Sequence, residues 1–147
     1  MTNEQTLEFL TTAANQHASD IFIIAGRPLS IKVDGHLTDY GERLMPDDTK
    51  QILECIYQMA NNRDINHLLN TGDDDFSFSI PGLSRFRINV YKQRGSLAAV
   101  IRVIAFQLPD PSELSIPDDV MQTADYTKGM VLVTGSAGSG KSTTMAC

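Results

Sequence analysis

The 147-residue sequence predicts an α/β protein: helices on an antiparallel sheet over the first hundred residues, then the incomplete start of a second domain. Short runs in which polar and apolar residues alternate, separated by turn signals, predict the antiparallel strands. Apolar residues at helical spacing predict helices between these strands. Near the end of the chain, an apolar β-branched run precedes a loop of glycine and serine, an order typical of a parallel strand that leads into a helix.

The first 40 residues predict one helix and three strands. A capping box and apolar residues at helical intervals predict a helix over residues 3–17. The compact apolar run 21–24 predicts the first strand, and alternation over 29–33 predicts the second. Asp34-Gly35 is a strong signal for a two-residue hairpin, so we expect a third strand over 36–40.

The next 60 residues predict two helices and three strands. Pro46 is placed to begin a helix, because proline fits the first helical turn. A shorter helix is predicted over 63–69, closed at Gly72. Alternating residues then predict three strands, over 76–80, 85–90 and 97–104.

Composition restricts the function. Hydrophobic residues make up 41% of the chain and charged residues 20%, with no apolar run long enough for a bilayer and no signal peptide, so we expect a cytoplasmic protein. The net charge of −6 argues against nucleic acid as a partner. Cys55 and Cys147 form no metal-binding or disulfide pattern, and Cys55 is predicted to pack in a helix.

One segment of this acidic chain is purely basic. Between Phe76 and Pro109 there is no Asp or Glu, whereas five basic residues fall inside: Arg85, Arg87, Lys92, Arg94 and Arg102. Alternation places Arg85 and Arg87 on the strand face opposite the core, and Arg102 on the neighbouring strand, so the three guanidinium groups can converge. Two interpretations remain open: a solvated face whose arginines pair with acids such as Asp73, Asp74 and Asp75, or a surface that faces an anion.

The sequence from residue 135 to 142 fits the P-loop (Walker A) pattern G-x-x-x-x-G-K-[ST]. Backbone N–H groups of such a loop surround a nucleoside triphosphate, the lysine reaches the β- and γ-phosphates, and the hydroxyl after it binds Mg²⁺. The pattern therefore predicts Lys141 as the catalytic lysine and Ser142 as the metal ligand. The nucleotide-binding set is Gly135, Ser136, Ala137, Gly138, Ser139, Gly140, Lys141, Ser142 and Thr143.

The context of this loop supports the motif. The apolar run 130–134 predicts a buried parallel strand before it, and Lys141 can begin a helix after it. The alternative is a flexible Gly/Ser linker, which is not normally preceded by five residues of a buried type. Pro109, Pro111 and Pro117 indicate an extended connection. We therefore expect a first domain over 1–104, a linker over 105–117 and the beginning of a nucleotide-binding domain over 118–147.

Five segments carry a further pattern: 18–22 (Ala-Ser-Asp-Ile-Phe), 33–35 (Val-Asp-Gly), 75–78 (Asp-Phe-Ser-Phe), 82–89 with its Arg-Phe-Arg-Ile-Asn core, and 135–144. Taken together, they resemble one family, the PilT-type ATPases of twitching motility, which retract type IV pili and belong to the secretion ATPase superfamily. The resemblance runs in order through nearly the whole chain. It is more specific than the P-loop alone.

The resemblance implies a PAS-like first domain and a RecA-like ATPase domain, with ATP and Mg²⁺ bound between them. It also implies a ring-shaped homohexamer in the cytoplasm, against a platform protein of the inner membrane. Arg85, Arg87 and Arg102 match the arginines that this family directs at the triphosphate. The acidic strand end, catalytic glutamate and histidine box of the family would follow residue 147, so we expect the 147-residue chain by itself to be inactive.

The branch of the family and the class of function stay open at this point. Phe22 replaces a histidine common in retraction ATPases and is similar to the PilU-like branch, whereas Asn89 is similar to PilT-like members; Ser136-Ala137 replaces a common Pro-Thr pair. The alternatives are a secretion-type assembly ATPase or another P-loop enzyme such as a small-molecule kinase, and a non-catalytic PAS-like docking module.

Overall fold

The computed structural model describes residues 1–104, 110–112, 114–136 and 139–147. The chain divides into two units, Met1–Phe106 and Gln107–Cys147. The predicted linker 105–117 lies partly outside the described residues, as do Ala137 and Gly138 of the predicted loop.

The first unit begins with a helix and a three-stranded meander. These elements are α1 (Asn3–Asn15), β1 (Asp20–Ile23), β2 (Leu29–Val33) and β3 (His36–Tyr40). The Thr2 hydroxyl accepts a hydrogen bond from the Gln5 backbone N–H at 3.3 Å, and the Gln5 side chain accepts one from Thr2 N–H at 3.0 Å. The predicted capping box is therefore confirmed, although α1 ends two residues earlier than expected.

Two helices and three long strands complete the first unit. These elements are α2 (Pro46–Met59), α3 (Asn66–Thr71), β4 (Asp73–Ile80), β5 (Ser84–Gln93) and β6 (Ser96–Ile104). Pro46 stands at the start of α2, and Gly72 closes α3 with a left-handed φ of 93°, both as predicted. The predicted helix over 63–69 is wrong in its limits. Asn61 and Asn62 have positive φ, and Arg63 is held by Asp74, so the helical turn begins only at Asn66.

Within residues 1–104 the strands form one six-stranded antiparallel sheet in the order β3-β2-β1-β6-β5-β4. The Asp34-Gly35 hairpin is confirmed, because Val33 and His36 are paired and both turn residues have positive φ, at 49° and 84°. β1 and β6 are neighbours at the centre of the sheet although about 80 residues separate them in sequence. The α/β class with an antiparallel sheet, predicted from the sequence, is the observed one.

One face of the sheet forms the core with the helices. Leu10 and Ala13 of α1 and Ile52, Leu53 and Ile56 of α2 belong to the same buried cluster as the sheet residues. The sheet contributes alternate positions to it, among them Ile21, Ile23, Ile31, Phe86, Ile88, Val90, Ala99 and Ile101. Side chains at the positions between these point to the other face, where the predicted arginines lie.

A buried carboxylate fastens the end of α2 to β4. Asp74 has a side chain only 3% exposed; it accepts two hydrogen bonds from Arg63, at 2.9 and 2.8 Å, and one from the Tyr57 hydroxyl at 2.8 Å. Its hydrogen bonds with Arg63 hold the pKa of this carboxyl below its ordinary value, and burial raises the pKa of Tyr57. The Arg63 guanidinium also lies 4.7 Å from the centroid of the Phe76 ring. This network supplies the counterion without which a buried carboxylate is strongly destabilising.

The second unit contains short helical segments, α4 (Asp118–Met121), a 3₁₀ turn (Gln122–Asp125) and α5 (Lys141–Ala146). The predicted strand over 130–134 is wrong: these residues have no strand assignment, and the side chains of Met130 and Leu132 are 81% and 74% exposed. A parallel strand needs hydrogen-bonding neighbours, and the described residues of this unit contain no strand with which it can pair. Residues 130–134 are thus an apolar segment that is paired with no strand among the described residues.

Candidate anion-binding face and phosphate loop

The arginines singled out in the sequence lie on the sheet surface opposite the helices. We call this surface the open face and define it by outward-facing residues of β1, β6, β5 and β4: Asp20, Phe22, Val100, Arg102, Arg85, Arg87, Asn89, Asp75 and Ser77. Phe86, Ile88 and Val90 alternate with the arginines of β5 and are fully buried, as predicted. The alternation of β5 therefore separates core from open face one residue at a time.

Arg87 and Arg102 are direct register partners across β5 and β6. Both side chains are mostly exposed, at 63% and 72%. Like charges at directly opposed positions of a sheet are unfavourable unless other charges compensate them. The open face supplies that compensation with one carboxylate on each side of the pair.

Asp75 of β4 is the compensating group for Arg87. The Arg87 Nε donates to Asp75 Oδ1 at 3.2 Å and its Nη2 to Oδ2 at 3.1 Å, a two-point contact that matches the planar guanidinium. This hydrogen bonding raises the pKa of Arg87 above its ordinary value. Asp75 is paired in register with Asn89, so the contact with Arg87 runs diagonally across the two strands.

Asp20 of β1 is the compensating group for Arg102. These residues are direct register partners, and Arg102 Nε donates to Asp20 Oδ1 at 3.4 Å. The second oxygen of Asp20 accepts a hydrogen bond from the Ser19 hydroxyl at 2.9 Å. Asp20 is only 17% exposed, so it is a fixed anchor at the base of an otherwise exposed arginine.

Arg85 lies two residues before Arg87 on the same face, opposite Ser79 on one side and Ile104 on the other. It is exposed, and no ion pair of Arg85 is found within the described residues. The structure thus places Arg87 and Arg102 side by side, and Arg85 two residues away on the same strand as Arg87. The three guanidinium groups share a face, as the alternation predicted.

The sequence left two interpretations of the basic segment, and part of each is observed. Asp75 pairs with Arg87 as the solvated-face interpretation expected, but Asp74 belongs to the opposite face, and Asp20 was not among the acids considered. The signal that finds Asp20 is the pairing of β1 with β6, which joins residues 82 positions apart. Even when paired, Arg87 and Arg102 remain more than half exposed, and therefore remain accessible to an anion.

In the described part of the phosphate loop, two side chains donate hydrogen bonds to one backbone carbonyl. The Ser139 hydroxyl donates to the Ser136 carbonyl at 2.9 Å, and the Lys141 ammonium donates to the same carbonyl. Gly135 has φ 156°, and a Cβ at this position would lie 2.6 Å from Ser139 Oγ. A side chain at the first position of the motif would therefore force the Ser139 hydroxyl to move.

The residues after the loop begin a helix, as predicted. Gly140 has a left-handed φ of 84°, and α5 starts at Lys141. Ser142, the candidate Mg²⁺ ligand, is exposed on its first turn, with Thr143 next to it. In the described part of the chain, no three or more His, Cys, Asp or Glu side chains are grouped so that they could hold a metal ion.

No helix among residues 1–104, 110–112, 114–136 and 139–147 is both long and apolar enough to cross a bilayer.

Comparisons with known proteins match both units. A model of the family described as type II/IV secretion system protein matches residues 3–147. The type IV pilus retraction ATPase PilT of Pseudomonas aeruginosa is 38% identical over 139 residues, which are 95% of this chain and 40% of the relative. The type IV pilus ATPase PilU of the same organism is 32% identical over 142 residues, 95% of this chain and 36% of the relative.

A solved structure, the pilus retraction motor PilT with bound ADP, superposes with a TM-score of 0.76 at 39% identity. The match covers 95% of this chain and 40% of that structure. The chain thus spans about two fifths of the length of the relatives it matches.

Proposed function

Because this chain belongs to the type II/IV secretion system protein family, we propose that it is the N-terminal part of an ATP-hydrolysing motor that powers type IV pilus retraction. One observation carries the proposal: the likeness to PilT extends over 139 residues and both units, and is not limited to the phosphate loop. A generic P-loop protein would share the loop and lack the arginine strand.

The loop residues bind the nucleotide in this proposal. ATP with Mg²⁺ supplies the phosphoanhydride bond that is hydrolysed. The backbone from Gly135 to Thr143 faces the phosphates, Lys141 exchanges the Ser136 carbonyl for phosphate oxygens, and Ser142 offers its hydroxyl to the metal ion.

We infer that the open face supplies positive charge to nucleotide phosphates. Arg87 and Arg102 are register partners on neighbouring strands, and Arg85 lies two residues before Arg87 on the same strand. Charge-assisted hydrogen bonds of this kind contribute about 1.5–3 kcal/mol each. Loss of the γ-phosphate therefore weakens binding of the nucleotide to these arginines by several kcal/mol at most.

The assembly and location proposed for the complete protein follow its family. We infer a homohexamer in the cytoplasm that acts on a platform protein of the inner membrane, without nucleic acid. The composition of the chain supports the cytoplasmic location, and its net charge of −6 supports the exclusion of nucleic acid as a partner.

Arg87→Ala tests the contribution of the open face to catalysis. In the complete protein that carries this sequence, we expect ATP turnover to fall at least tenfold, because the variant removes one charge-assisted phosphate contact. Arg43→Ala is the matched control, since Arg43 is an exposed arginine outside the sheet. Unchanged turnover in Arg87→Ala would contradict the proposal, and a turnover-deficient wild type would favour a docking module instead.

A further inference from the structure

The two arginines at the centre of the open face are held in different ways. Arg87 is engaged by Asp75 through two nitrogens, Nε and Nη2, whereas Arg102 contacts Asp20 through Nε alone. Within the described residues the terminal nitrogens of Arg102 donate no hydrogen bond, whereas Asp75 occupies the Nε–Nη2 edge of Arg87.

The two carboxylates, Asp20 and Asp75, also differ in how firmly they are held. Asp20 is 17% exposed and has a second hydrogen bond from Ser19, so it is fixed in place. Asp75 is 47% exposed, and the hydrogen bonds described for its side chain are the two from Arg87. An exposed ion pair is weak and exchanges readily with solvent ions.

We propose that Asp75 is a positioning residue that holds Arg87 by its Nε–Nη2 edge. A bound nucleoside triphosphate then displaces the Asp75 carboxylate and binds this edge of Arg87 in its place. The inference rests on the proposed function, because it assigns Arg87 to the triphosphate. A carboxylate and a phosphate can each make the same two-point contact with the Nε–Nη2 edge of a guanidinium, and there they compete. Asp75 thereby lowers the affinity of the site for its anion, both by occupying Arg87 and by repelling the phosphates.

Asp75→Asn tests this competition directly. In the complete protein, we expect the dissociation constant for a non-hydrolysable ATP analogue with Mg²⁺ to decrease by about three- to tenfold. Asp73→Asn is the matched control: it removes the same charge from an exposed position of β4, but its register partner is Tyr91. An unchanged or weaker affinity in Asp75→Asn would overturn the inference, because removal of a competing carboxylate must tighten binding of the anion.

A double variant shows whether the effect depends on Arg87. On the Arg87→Ala background, Asp75→Asn should change the dissociation constant by less than half of its effect in the wild type, because the competing pair no longer exists. A full effect on that background would reduce Asp75 to a general repulsive charge and overturn its assignment to Arg87. Melting temperatures confirm that each variant folds, and Asp75→Ser replaces Asp75→Asn if the latter does not.

Failure of this inference is distinguishable from failure of the proposed function. If the wild type does not bind the analogue, or Arg87→Ala binds it as well as wild type, the proposed function of Arg87 fails and the inference fails with it. If Arg87→Ala weakens binding but Asp75→Asn does not strengthen it, the function stands and the competition is disproved.

Discussion

Arg87 and Arg102 stand directly opposite each other on neighbouring strands, and their charges are compensated from outside the pair by Asp75 and Asp20. The four charges form an acid–arginine–arginine–acid arrangement across β4, β5, β6 and β1. The sheet thereby keeps two adjacent guanidinium groups exposed while each is paired with its own carboxylate.

The double variant Asp20→Asn with Asp75→Asn should make this repulsion visible. At low ionic strength the melting temperature should fall, because two like charges face each other uncompensated. Added salt should restore most of the loss, since exposed charges are screened within about 10 Å at 0.1 M salt. A salt-independent decrease would show that the acids act through packing. Thermal denaturation over a range of salt concentrations makes the distinction.

Asp74→Asn should destabilise the first domain by about 1–3 kcal/mol, because it removes the charge that Arg63 and Tyr57 share. Denaturant unfolding measures the change. Asp73→Asn, one residue earlier and exposed, serves as the control and should have little effect. Equal stability of Asp74→Asn and wild type would mean that the network contributes nothing net.

The same carboxylate predicts a dependence of stability on pH. Hydrogen bonds from Arg63 lower the pKa of Asp74 from its ordinary value of 3.8, so the unfolded chain binds the proton more tightly than the folded one. Its contribution to stability is therefore complete above pH 3.8 and disappears as the pH falls through the lower folded pKa. Unfolding free energies measured between pH 6 and pH 2 should show a shallower acid slope in Asp74→Asn, and identical slopes would refute the assignment.

Gly72→Ala should cost about 1 kcal/mol of stability. A Cβ at Gly72 meets no atom within 4 Å, but φ is 93°, so the cost is that of the left-handed backbone alone. Asn70→Ala, an exposed position in the same short helix, should be neutral or stabilising. Denaturant melts of the two variants test the cap, and equal stabilities would argue against it.

Gly135→Ala should weaken nucleotide binding at least tenfold, because its Cβ would displace Ser139 Oγ from the Ser136 carbonyl. Gly129→Ala is the control: Gly129 also has positive φ, at 106°, but meets no atom within 4 Å. Titration with fluorescent ATP compares them. An affinity of Gly135→Ala equal to that of the wild type would contradict the prediction, and an equal loss in both variants would assign the effect to general backbone strain.

The sequence predicted those features that local patterns determine. The alternation of Arg85, Phe86 and Arg87 assigned each side chain to the correct face, and Asp34-Gly35 placed the hairpin, because both signals depend on neighbours in the chain. The register of β1 against β6, and with it the pairing of Asp20 with Arg102, depends on contacts between distant segments. No local pattern contains that information.

The two errors of prediction have tertiary causes. The helix expected from residue 63 begins at Asn66, because the buried carboxylate of Asp74 draws Arg63 into a loop. The strand expected over 130–134 is not formed, because β propensity alone does not supply the partner strands that a parallel sheet requires. Site residues 85, 87, 102 and 135–143 remain predictions until variants are measured.

Equilibrium binding of ATP with Mg²⁺ to the complete protein, compared with Lys141→Ala, tests the central claim most directly. We predict saturable binding by the wild type and a loss of at least tenfold in affinity in the variant. The reason is that the Lys141 ammonium, which donates a hydrogen bond to the Ser136 carbonyl, would contact the phosphates of the bound nucleotide. Equal affinities of wild type and variant, or no binding by either, would contradict the account.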